Sequence, residues 1–152
     1  MVRDESRLPS GIVFRRLGTP AERARARGLL VAAGPAYRSP RLAGDEVWSG
    51  LFDLTAADGA APAAVAATLP MSVRVLEVRA LVVRTGAPSS AMWGRLVREL
   101  ADECRAQGAE WLVAGIADGD TAAVELRRAG FGPAPVPGLP EAGSLGWLAW
   151  EV

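Results

Sequence analysis

The chain has 152 residues, 50% of them apolar and 22% charged, with 17 basic residues, all Arg, balanced by 17 Asp and Glu. That apolar content belongs to a folded domain rather than a disordered chain, and no run approaches the ~18 apolar residues of a membrane span. A formal net charge of zero and a pI near 6.3 supply no electrostatic footprint for a nucleic-acid backbone or an anionic membrane, so neither partner is expected.

The missing residue types narrow the chemistry further. The sequence contains no His, no Lys, no Asn and a single cysteine, Cys104. Without His there is no serine–histidine triad, imidazole base or ordinary zinc site. Without Lys there is no Schiff base and no phosphate-gripping P-loop. One cysteine cannot form an internal disulfide. Catalysis must then use carboxylates, Arg, the lone Tyr37, hydroxyls, backbone amides or the thiol. Met1 to Ser10 is polar, with no secretory signal expected, and the chain reads as cytoplasmic.

Gly11 to Arg16 predicts a short strand. Thr19-Pro20-Ala21-Glu22 follows as an N-cap with Pro at the first helical position, opening a helix to about Ala33 that Gly34-Pro35 stops. Ala36 to Glu46 reads as a polar loop. Val47 to Thr55 predicts a strand, and Ala56 to Gly59 a turn. The Ala-rich stretch Pro62 to Leu69 is ambiguous by pattern and is read as a hairpin partner. Val73 to Val83 is the strongest strand signal, nearly continuous in aliphatic residues but interrupted by Arg74, Glu77 and Arg79. Ser89 and Ser90 offer caps to a helix ending near Gln107-Gly108, on which Met92, Leu96, Leu100 and Cys104 recur every four residues beside Trp93, Val97 and Ala101. Trp111 to Ala117 is a strand, Asp120 to Ala129 a short helix closed by Gly130, and Gly146 to Val152 a last strand. Asp118 and Asp120 read as caps of that short helix. The order β-α-β-β-β-α-β-α-β predicts an α/β (α+β) fold in one domain spanning 1–152: a mixed central sheet of about six strands flanked by helices, without repeats or linkers.

This order, and the stretch from Glu77 to Phe131 in particular, resembles the GNAT superfamily of acyl-CoA-dependent N-acyltransferases. Glu77 to Val83 is similar to the family's central strand, Leu96-Val97 to the paired aliphatics of the helix after its phosphate loop, and Gly130-Phe131 to its helix-ending Gly-Phe. The spacing agrees without a gap from Val83 through Leu96. The same register exposes two departures. Where the family carries Arg/Gln-x-x-Gly-x-Gly/Ala, whose glycines let helix amides approach the CoA pyrophosphate, this chain has Pro88-Ser89-Ser90-Ala91-Met92-Trp93. Leu126 stands where many members carry a Tyr that protonates the departing thiolate. The resemblance therefore implies the fold, with weak acetyl-CoA binding at best, and no cofactor is expected. If CoA binds, Val83, Ser89 and Ser90 would hold it.

Three functions remain open. In the leading one, the fold has lost CoA and performs carboxylate-driven dehydration, addition or cyclisation on a small molecule, in a setting such as bacterial specialised metabolism. Glu77 would be the acid or base, with Arg79 and Tyr37 as orienting donors. Arg38, Asp53 and an apolar wall of Trp48, Phe52 and Trp93 would contact substrate. Glu77 has a structural alternative as a strand charge paired with Arg79 or Arg74. Tyr37, Arg38 and Arg41 lie in the loop where family members form their acceptor site, and Asp45, Glu46 and Asp53 are similar cases. Trp93 is either a plug in the pyrophosphate space or a core residue of its helix, and Cys104 is core. The second function is an acyl-CoA-dependent N-acetyltransferase with a divergent loop. The third is a non-catalytic binding domain. A homodimer through a sheet edge is an open option. The cleft between Val73–Val83 and Trp111–Ala117 discriminates: an open cleft favours the acyltransferase.

Overall fold

In the computed structural model the described residues are 11–32, 36–55, 61–84, 89–117, 122–133, 136, 139 and 145–152. They form, in chain order, β1 (Ile12–Arg16), α1 (Pro20–Ala32), β2 (Ala36–Arg38), β3 (Val47–Asp53), β4 (Ala64–Pro70), β5 (Val75–Val83), α2 (Ser89–Ala106), β6 (Trp111–Ala117), α3 (Ala122–Ala129) and β7 (Leu145–Glu151). The sheet runs β1-β3-β4-β5-β6-β7, and β2 pairs with β5 off that path. Among the described strands only β5 and β6 are parallel neighbours. The sheet therefore has seven strands rather than about six, the addition being a piece of the expected 36–46 loop. The Ala-rich stretch is a strand paired to β3 and β5, as a hairpin partner requires. The expected Gly34-Pro35 stop, the Ala56 to Gly59 turn, Pro88, and the Asp118 and Asp120 caps lie outside the described residues.

Strand alternation sorts the core into two layers. On β4, Ala64 and Ala66 face the helices α2 and α3 while Val65 and Ala67 face α1. The α2 layer is the larger. It gathers Met92, Trp93, Leu96, Val97, Leu100 and Cys104 with Leu126 of α3 and with Leu76, Val78, Leu81 and Val83 of β5. The four-residue recurrence on α2 is thus a buried stripe. The α1 layer rests mainly on Ala26 and Leu30 against Trp48, Phe52, Ala80 and Val82.

Local chemistry sets the helix ends. Thr19 Oγ1 accepts the Glu22 N–H at 3.1 Å, a side-chain cap of the first turn. Gly108 (φ 81°) and Gly130 (φ 122°) take the left-handed conformation that closes α2 and α3. The Ala109 N–H reaches back to the Cys104 carbonyl at 3.0 Å, and Phe131 to Leu126 at 3.0 Å. The first closure turns the chain into β6 beside β5, and the second brings Gly132 against Ala149 of β7. No helix among the described residues is long and apolar enough to cross a membrane.

Candidate functional site between two parted strands

β5 and β6 pair over three rungs only, Val75 with Trp111, Leu76 with Leu112 and Glu77 with Val113. Beyond Glu77 they part. β4 takes the other edge of β5 from Leu76 to Val83, so the amides and carbonyls of Ala80 to Val82 on the β6 side need another partner. β2 supplies it: Ala36 faces Val82, Tyr37 faces Leu81 and Arg38 faces Ala80, and the Ser39 N–H donates to the Arg79 carbonyl at 2.9 Å. The Tyr37 hydroxyl spans the gap and donates to the Gly115 carbonyl of β6 at 2.6 Å. The cleft between the two strands is therefore filled by the chain itself. Tyr37 is fully buried on a strand rather than placed on an acceptor loop.

A β-bulge lies at the same level. Ala67 faces Ala80 and Thr68 faces Val78, which leaves Arg79 as an extra residue on β5. The bulge puts Glu77, Arg79 and Ala80 on one face, the α1 side. There Glu77 Oε1 accepts from Arg79 Nε at 3.1 Å, and Glu77 Oε2 from Arg41 Nε at 2.9 Å. Arg79 Nη1 donates to Glu46 Oε2 at 2.9 Å, and Glu46 also accepts the Ala43 and Gly44 N–H groups at 2.9 and 2.7 Å. The result is an alternating chain, Arg41, Glu77, Arg79, Glu46, with both carboxylates shielded from solvent. Burial opposes the charge on Glu46, but the amides of Ala43 and Gly44 and the Arg79 guanidinium prevail and hold its carboxyl below the usual range. Burial likewise works against Arg79, and its hydrogen bonds to Glu46 and Glu77 outweigh it, so its pKa is raised.

The other expected site residues are scattered. Trp48 and Phe52 lie buried in the α1 layer and Trp93 in the α2 layer, on opposite faces of the sheet, so they do not form one apolar wall. The Trp93 ring is enclosed by core, and its indole N–H has no hydrogen-bond partner among the described residues. Arg38 is exposed on β2. Asp53 ends β3, its Oδ1 accepting from the Thr55 N–H at 3.0 Å and hydroxyl at 2.6 Å. Val83 ends β5 in the core, Ser89 and Ser90 open α2, and Leu126 is fully buried. Of the expected catalytic trio the structure joins Glu77 to Arg79 and gives the Tyr37 hydroxyl to Gly115. Arg41 and Glu46 complete the charge network from the loop. The resemblance marked both only as residues of an acceptor loop, not as partners of Glu77 and Arg79.

The mixed sheet, with one parallel pair that parts after Glu77, has the fold of GNAT acetyltransferases. Solved structures agree. A GNAT-family acetyltransferase from Elizabethkingia anophelis, with acetyl-CoA bound, is similar over 95% of this chain and 100% of that one (TM-score 0.65, 16% identity). A GNAT-family protein from Desulfovibrio desulfuricans matches over 92% and 98% (TM-score 0.66, 19% identity). An acetyltransferase from Bacillus subtilis in complex with CoA matches over 93% and 99% (TM-score 0.63, 14% identity). No protein-family model matches the sequence, and no curated protein matches it either. The expectation of no cofactor is corrected by these structures, two of which hold acetyl-CoA or CoA in the same fold and point to a CoA-type cofactor.

Proposed function

We propose that the chain is an acyl-CoA-dependent N-acyltransferase acting on a small-molecule amine. The observation that supports this reading is a fold shared along almost the whole chain with acetyltransferases that hold acetyl-CoA or CoA; the parting of β5 and β6 after Glu77 goes with it, while the β2 that fills the cleft counts against it. Two parallel strands that diverge present edge amides and carbonyls to one cleft at their carboxyl ends, where open α/β sheets take ligands. The arm of an acyl-CoA is an extended chain with two amides, and such a chain bonds to a strand edge as another strand does. α2 is the next element after β5 in the chain, and the amides at a helix start favour an anion. In the described conformation these residues do not fit the group, because β2 stands in the cleft. Cofactor-free acid–base chemistry at Glu77 is disfavoured independently, since both oxygens of its carboxylate are engaged by guanidinium donors.

The test is thiol release from acetyl-CoA, followed with a thiol reagent, across a panel of aminoglycosides, polyamines and amino acids. Release that depends on one of the amines is expected, together with saturable acetyl-CoA binding at a Kd of roughly 1 μM, about −8 kcal/mol. No release with any amine and no calorimetric binding of acetyl-CoA would overturn the reading.

A further inference from the structure

We draw no further inference here: the strongest candidate, the surface groove between the β1–α1 turn and the loop before β3, lined by Leu17, Gly18, Arg23, Asp45, Glu46 and Trp48, carries nothing, because its one buried carboxylate, Glu46, is already satisfied by Arg79 and the Ala43 and Gly44 amides, and nothing in the structure shows what would occupy it.

Discussion

Replacing Arg79 by Met tests the charge network at its centre. Arg79 is 7% exposed and donates to two carboxylates, at 3.1 Å to Glu77 and 2.9 Å to Glu46. Breaking a buried ion pair by removing one partner commonly costs about 3–5 kcal/mol, because the other charge is left without compensation. Here the orphans are not bare. Glu77 keeps Arg41, and Glu46 keeps the Ala43 and Gly44 amides, while Met preserves most of the packing of the arginine stem. The lower end, about 3 kcal/mol, is therefore expected, or a fall in Tm of roughly 6–12 °C for a domain of this size. Urea unfolding followed by Trp fluorescence reads it as a lower midpoint at unchanged slope. Adding Glu46→Gln to Arg79→Met should cost less than the sum of the single changes, by about 1–3 kcal/mol of coupling. A loss below about 1 kcal/mol for Arg79→Met, the size expected of a solvated surface pair, would refute the reasoning.

Glu46 gives a pH dependence of known sign. Its folded pKa is depressed, so its stabilisation is present above the ordinary carboxylate range and is lost as pH falls through the folded value; urea midpoints measured downward from pH 7 should show an acid limb that Glu46→Gln flattens. Trp93→Ala should cost about 3–5 kcal/mol, since the ring is enclosed in the α2 layer; retained stability in thermal unfolding would show the ring to be a plug at the helix end. Burial pushes the Cys104 thiol up to about 11 against the opposing charge of Arg105, so a thiol reagent at pH 8 should label the protein only in urea, and rapid stoichiometric labelling of the native chain would contradict the buried setting.

Long periodic segments made most of the fold legible. β5 and α2 carry enough apolar residues at one period for pattern alone to place them, and Gly108 and Gly130 mark ends that only a left-handed residue closes readily. β2 escaped for a physical reason: three residues are less than two full side-chain periods, and its pairing is set by the edge that β5 leaves open, a tertiary fact with no local imprint. The site was half legible. Charges inside an apolar strand announce a partnered pair, which Glu77 and Arg79 are, but the resemblance that drew attention to Arg41 and Glu46 gave them an acceptor-loop role, and nothing in the sequence pairs them with that strand. The direction of the Trp93 ring was equally hidden, because the same stripe position serves a core or a cleft.

The bulge at Arg79 has a consequence for what the sheet requires of its central strand. Val78 faces the α2 layer and Ala80 the α1 layer, while Thr68 and Ala67 opposite them are adjacent on β4. Excising Arg79 would therefore leave every neighbour facing its own layer and would turn the interrupted ladder into a regular one. Insertions in a central strand ordinarily reverse the faces of all that follows. This one does not, so Arg79 is a residue the backbone can spare. The strand lengthens by one position there to carry a cation into the interior, and to offer the carbonyl on which Ser39 rests.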